Sequence, residues 1–267
     1  WLRALKLRLC DPSSSRSIVG RIEAPRFFGL GIGWHCEPSL YPDCMFGFNP
    51  YQKTEPAVMH IYAFGSICRG DISVDSDVDL LALVEGRDPR LDPDKFSIYS
   101  YKRISELWAS GNAFAWHLAL ESKLIYSEDG GDFLRGLRMP SEYVGAAEDC
   151  RRFREIFESA LLSVQDGTPS LVFELSTIFL AIRNIATCYS LAMLPSPTFG
   201  RDSARKLGPR NVPISDAVYS ILMRARLLST RGLGEDIAEV DTSKLVDELE
   251  GCRLWVNELC VETEANG

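Results

Sequence analysis

Asp77 and Asp79 stand two residues apart at the start of an apolar run, so their carboxylates point to the same side of an extended chain. A Gly65-Ser66 pair lies just upstream, where the chain reads as a tight turn after a first apolar strand. Two carboxylates on one side of a strand, beside a turn that brings backbone close to a ligand, can hold Mg²⁺ against the phosphates of a nucleotide. Gly65 permits the close approach, and Ser66 adds a hydroxyl and an N–H at the start of a short helix, a setting that suits phosphate. Arg69 is placed to neutralise charge, with plain solvation as the alternative, and Gly70 makes a turn. Ser76 is expected to cap or orient Asp77.

The whole stretch from His60 to Glu85 reads HIYAFGSICRGDISVDSDVDLLALVE. Its pattern, FGS-x(10)-D-V-D-L, resembles the signature of the DNA polymerase β-like nucleotidyltransferase superfamily. The short spacing and the Arg-Gly step resemble its minimal and aminoglycoside nucleotidyltransferase branches. The resemblance implies Asp77 and Asp79 as ligands of Mg²⁺ or Mn²⁺, an NTP substrate with ATP as first choice, and an NMP group moved to a hydroxyl acceptor with release of pyrophosphate. The acceptor would be a small molecule, a protein side chain or an RNA end.

Members of this superfamily usually carry a third carboxylate on the next strand, as metal ligand or general base. Here that strand is FSIYSY, and Ser97 stands at the aligned position. Three outcomes follow: a base from elsewhere, Glu121 as the base, or a site that binds nucleotide without transferring it. The last makes the chain a nucleotide-binding or antitoxin-like partner module, with a partner protein implied. His117 and Glu121 are four apart and share one helix face. They read as a surface or interlayer hydrogen-bonded pair, or as residues bordering the cleft with Glu121 as base or substrate contact. Trp116 reads as core, with base stacking as the lesser alternative.

The elements that must position these groups can be read outward from the motif. Residues 59–64 and 78–84 are short apolar strands, and 95–101 alternates with aromatics as a third. Residues 104–109 and 113–124 read as helices broken at Gly111-Asn112, followed by a short strand and turn in LIYSEDGGD. From there the pattern is helical. Apolar residues at 146, 153, 156, 157, 160, 161 and 164 line one face of a helix over 146–166. Residues 170–194 are apolar nearly all round, as a central buried helix is. Further helices are expected over 213–229 and 242–261, the latter with Leu245, Leu249, Cys252, Val256 and Leu259 on one face. The fold class is therefore α+β: a small mixed-sheet domain over 59–140 followed by a helical bundle over 141–267.

Residues 1–58 are rich in Pro, Gly, Ser and aromatics without a sustained period. The chain starts with Trp1, and Met59 directly precedes the first strand. Residues 1–58 are therefore expected to be an irregular extension translated from upstream of the true start, with a cap that packs on the sheet as the competing reading. His35, Cys36 and Cys44 match no common zinc spacing.

The helical half carries basic residues. Arg201, Arg205, Lys206 and Arg210 lie in one loop, and Arg224, Arg226 and Arg231 lie on or after the next helix. The resemblance implies that FGR (199–201) and STRG (229–232) approach triphosphate or acceptor, with Arg201 a nucleotide contact. Solvation or pairing with acids is the competing fate. Arg183 sits in the most apolar helix and requires a partner, expected from another element. HEPN-type ribonucleases offer a second comparison for the bundle, since Arg183-Asn184 begins a similar motif. All three histidines lie before residue 118, which argues against a histidine-dependent nuclease there.

Bulk properties narrow the classes. The chain has 267 residues and 46% hydrophobic content, enough for a substantial core. A net charge of −8 argues against wrapping long nucleic acid by charge alone. No run of eighteen apolar residues occurs, so no membrane span is expected. The eight scattered cysteines, with no CxxC pair, read as reduced, mostly buried thiols of a cytoplasmic protein.

Overall fold

The fold was analysed in a computed structural model that describes residues 58–71, 78–86, 88–232, 237 and 242–266. The expected extension over 1–58 therefore falls outside the described residues, apart from Val58.

Strand β1 (Met59–Phe64) runs into the Gly65 turn and a single-turn helix α1 (Ser66–Arg69). Strand β2 (Asp79–Val84) returns antiparallel to β1, with Phe64 opposite Asp79 and Met59 opposite Val84. Strand β3 (Phe96–Tyr99) lies parallel to β2, with Ser97 opposite Leu81. Helices α2 (Tyr101–Ala109) and α3 (Ala113–Glu121) follow, and strand β4 (Ser122–Ser127) pairs antiparallel with the free side of β1. The sheet order is β3-β2-β1-β4, a mixed sheet of four strands among the described residues.

Alternation assigns the two faces of this sheet. Met59, Ala82 and Val84 join Leu91 in one apolar cluster, with Ile61, Phe96 and Ile98 packed against it. The opposite face presents Tyr62, Phe64, Leu81 and Leu83, all buried. Helix α3 covers that face: the Phe64 ring meets Phe114 edge-on at 5.8 Å and His117 at 5.7 Å. Ser100 and Asn112 start α2 and α3 as N-caps, accepting from the N–H groups of Arg103 and Phe114.

Gly111 joins α2 to α3 at φ +61, and a Cβ there would lie 2.0 Å from the Glu142 carbonyl oxygen and 2.6 Å from that of Ser141. Both obstacles are backbone, and that backbone is itself fastened: Ser141 N–H donates to the Trp108 carbonyl and the Trp116 indole donates to the Ser141 carbonyl. Gly111→Ala is therefore expected to destabilise the protein by on the order of 3 kcal/mol or more. A urea midpoint within experimental error of wild type would contradict this packing.

A short helix α4 (Phe133–Gly136) leads to the helical half, made of α5 (Ala146–Gln165), α6 (Leu171–Met193), α7 (Asp216–Arg231) and α8 (Thr242–Ala265). Helix α6 is the centre, packed against α5, α7 and α8, with Leu175, Ile178, Ile182 and Ile185 among its buried residues. It is the one helix among the described residues long and apolar enough to cross a membrane, and two-thirds of that window is buried inside the protein, as in a core helix. The stripe expected on α8 is present: Leu245, Leu249, Cys252, Val256 and Leu259 are all buried. The fold is the expected α+β arrangement of a small mixed sheet followed by helices.

Candidate active site

The Gly65 turn is built from conformations that other residues avoid. Gly65 sits at φ 76, ψ −137, and its carbonyl accepts from Cys68 N–H at 3.0 Å and Arg69 N–H at 3.3 Å. Its own N–H donates to the Glu121 carbonyl at 3.2 Å, which ties the turn to the end of α3. Because Phe64 opposes Asp79 in the ladder, the turn lies over the start of β2. A Cβ at Gly65 would stand 2.9 Å from Asp79 Oδ2, so the carboxylate rests on the glycine backbone. Asp79 is exposed and opens to solvent. Asp77 and Ser76 lie outside the described residues.

Helix α1 is four residues long, too short for a useful macrodipole. What the turn offers an anion is the set of N–H groups that lead the helix, the Ser66 hydroxyl and neighbouring cations. Arg69 is one such cation. Its Nε donates to Asp71 at 2.9 Å and its Nη1 pairs with Glu121 Oε2. Burial works against the charge on Arg69, but hydrogen bonds and attraction from Asp71 and Glu121 outweigh it and raise the guanidinium pKa.

Glu121 Oε2 also meets His117 Nε2 at 3.0 Å. Of the two readings of this pair, the structure gives an interlayer contact that also borders the turn. His117 is 6% exposed, and its ring lies flat on Phe199 at 4.6 Å and 13°. Burial pushes the imidazole pKa down, against the opposing pull of Glu121. The unfolded chain therefore takes up a proton near the ordinary histidine value, about 6.5, before the folded protein does. Stability from this residue is full above that pH and declines as pH falls through the lower folded value. The expected result is a loss of urea stability as pH falls below about 7 that is smaller in His117→Gln. Equal slopes in the two proteins would contradict it.

The helical half reaches the turn through the loop over 199–202. Phe199 covers His117, and a Cβ at Gly200 would lie 3.7 Å from an Arg69 nitrogen. Arg201 is half-buried, and its carbonyl accepts from the Tyr219 hydroxyl at 2.7 Å. Three members of the expected basic cluster are engaged by acids: Arg205 by Asp216 at 2.6 Å, Lys206 by Asp202 at 2.7 Å, and Arg210 by Glu258 and Glu262.

Arg183 behaves differently from its expectation. Its hydrogen-bond partner is the adjacent Asn184, whose Oδ1 accepts from Nε at 3.3 Å and Nη2 at 3.0 Å, not a residue of another element. Helix α6 supplies its own polar neighbour at a buried turn, so no distant carboxylate is needed to satisfy the donors. Burial first, and repulsion from Arg226 next, bring the Arg183 pKa down to about 10, against support for the charge from Tyr219 and Asp79. Arg183 thus lies within electrostatic reach of Asp79 and Arg69. The signal in the sequence was a lone arginine inside the most apolar helix, but its direction toward Asp79 depends on how the two halves pack. Trp116 is half-buried, its indole bonded to the Ser141 carbonyl.

Ser97 shares the sheet face of Asp79, since it opposes Leu81 two positions along β2. None of the four residues of β3 is an acid. Among the described residues no three His, Cys, Asp or Glu side chains cluster as a metal site. Mg²⁺ does not need such a cage: one or two carboxylates with substrate phosphates and waters suffice. The exposed Asp79 carboxylate on the glycine turn fits that demand. A cavity of about 360 Å³ along β4, with Tyr62, Leu118, Asp132 and Arg135 in its walls, takes no wall from Gly65, Asp79 or Glu121.

Comparison with known proteins agrees with the local geometry. Residues 51–131 match the nucleotidyltransferase domain family. No curated protein matches the chain. Among solved structures, spectinomycin adenyltransferase AAD(9) from Enterococcus faecialis, crystallised with ATP and spectinomycin, is similar at 12% identity and a TM-score of 0.42, covering 76% of this chain and 93% of that one. FGS and DVDL both lie inside this matched segment, so residues 51–131 are similar to a nucleotidyltransferase domain in the stretch that carries the motif.

Proposed function

We propose that this protein moves an NMP group from an NTP, ATP first, to a hydroxyl acceptor and releases pyrophosphate. Residues 59–140 serve as the transfer domain and 141–267 as the helical domain that closes the cleft. The observation that carries the reading is the Asp79 carboxylate seated on the Gly65 turn. Asp79, with Asp77, would hold Mg²⁺ or Mn²⁺, which supplies Lewis-acid stabilisation of charge on the phosphoryl oxygens. The Gly65 and Ser66 backbone receives phosphate oxygens. In the transfer, the acceptor oxygen bonds to the α-phosphorus as the bond to the bridging oxygen breaks, and the hydroxyl proton passes to a base or to water.

Arg183 and Arg226 support a polyanion in the cleft. Each lowers its neighbour's tendency to be charged or is itself burdened by burial, and neither has a carboxylate as its hydrogen-bond partner in the contacts described. A triphosphate, or the departing pyrophosphate, would relieve that repulsion. The acceptor is a small molecule, a protein side chain or an RNA end.

One observation favours a second reading, a nucleotide-binding or partner module with little turnover: β3 carries no acid, and Glu121 is already engaged by two donors. The two readings separate on incubation with labelled ATP and Mg²⁺ or Mn²⁺. Transfer predicts metal-dependent pyrophosphate release, lost in Asp77→Asn/Asp79→Asn. Binding without release favours the module.

A further inference from the structure

Glu121 makes three contacts that its own helix does not require. Its carbonyl accepts from Gly65 N–H at 3.2 Å. Its Oε2 receives both Arg69 Nη1 and His117 Nε2. Arg69, 52 residues away in sequence, is held on its other edge by Asp71 at 2.9 Å. His117 carries Phe199 on its ring face, and that stack brings Gly200 beside the Arg69 guanidinium. One carboxylate therefore joins the nucleotide turn, the arginine next to it and the loop of the helical half above it.

A general base needs an open lone pair within hydrogen-bond reach of the proton it removes. Oε2 is already committed to two N–H donors, so only Oε1 could take a proton, on a carboxylate whose orientation Arg69 and His117 fix. A guanidinium clamped at two edges, by contrast, is preorganised: it loses little side-chain freedom when a phosphate arrives.

We propose that Glu121 is a positioning residue, not the base. It fixes Arg69 beside the Gly65 turn and, through His117 and Phe199, sets the 199–202 loop over it. This rests on the nucleotidyl-transfer reading for the role of Arg69 but is tested without turnover. The full chain and its Glu121→Gln, Glu121→Ala and Arg69→Met variants are compared by calorimetry with a non-hydrolysable ATP analogue and Mg²⁺. KM, kcat and the pH–rate profile are measured alongside.

Glu121→Ala is expected to weaken analogue binding and raise the KM for ATP about tenfold, as does loss of an outer partner that orients a working side chain. Glu121→Gln, which keeps an acceptor oxygen, is expected between Ala and wild type. Arg69→Met is expected to match Glu121→Ala, with the double variant no worse than either single one. The pH–rate profiles keep their wild-type limbs. Loss of the rising limb in Glu121→Gln with unchanged analogue affinity would make Glu121 the base and overturn the proposal. Additive losses in the double variant would also overturn it. Should wild type bind the analogue yet release no pyrophosphate, the transfer reading falls, while the binding comparison still decides the link between Glu121 and Arg69.

Discussion

Asp79→Asn is expected to reduce nucleotidyl transfer by about 10³-fold or more, roughly 4 kcal/mol of barrier, while leaving the fold intact. The separation between activity and stability follows from where Asp79 sits. Its backbone pairs with Phe64 in the β1–β2 ladder, and that pairing does not depend on the side chain. Its carboxylate is exposed, so replacing it by an amide removes no buried interaction, and the stability change should stay within about 0.5 kcal/mol. Asparagine keeps the shape and one oxygen but loses the negative charge that a divalent cation requires of its protein ligand. Thermal unfolding and transfer rate measured on the same preparation check the split. An inactive protein that is also unfolded would fail to support it, and one with near wild-type activity would exclude Asp79 from the metal site.

Gly65→Ala is expected to lower transfer by about 10²-fold, through a different route. Its φ of 76 with ψ −137 is open essentially to glycine, so alanine stores roughly 1–3 kcal/mol of backbone strain. The added Cβ would lie 2.9 Å from Asp79 Oδ2. That carboxylate is the end of a mobile side chain and yields easily, so the clash costs the fold little. It moves the Asp79 carboxylate, the proposed metal ligand, and a displacement near 1 Å at a reacting centre is worth about a hundredfold in rate. Gly86→Ala is the control: Gly86 has φ +76 as well, but a Cβ there meets nothing within 4 Å. It should lose some stability to the positive φ and retain activity. Equal activity losses in the two variants would attribute the effect to strain alone and remove the close contact from the account.

The strand-turn-strand half of this candidate site was legible because its parts are local. Gly65, Ser66 and Asp79 come from one strand-turn-strand unit, and the register of six residue pairs brings the turn over the aspartate. The long helices were legible for the same reason, since the buried faces of α5 and α8 repeat at helical spacing. The boundary between α3 and β4 was not. The sequence reads as helix through Leu124, but the helix ends at Glu121 and Ser122 already pairs with Phe64. Sheet pairing to β1 overrode a run of residues that suit a helix equally well.

The partners of Glu121 were half legible. The spacing of four places His117 beside it on α3, whereas Arg69 arrives from 52 residues upstream through the turn geometry. Arg183 was recognised as needing a partner, and its position within electrostatic reach of Asp79 depends on tertiary placement that its own helix does not reveal. The missing acid on β3 was visible in sequence and is equally plain in the structure, where Ser97 occupies the face of Asp79.

The account turns on whether Asp77 and Asp79 serve transfer and not binding alone. The direct measurement is pyrophosphate release from ATP with Mg²⁺ in the presence of small-molecule, protein and RNA hydroxyl acceptors, wild type against Asp77→Asn/Asp79→Asn. The account predicts metal-dependent release with at least one acceptor class and its disappearance in the double variant. ATP bound without release in any class, or release unchanged in the double variant, would contradict it.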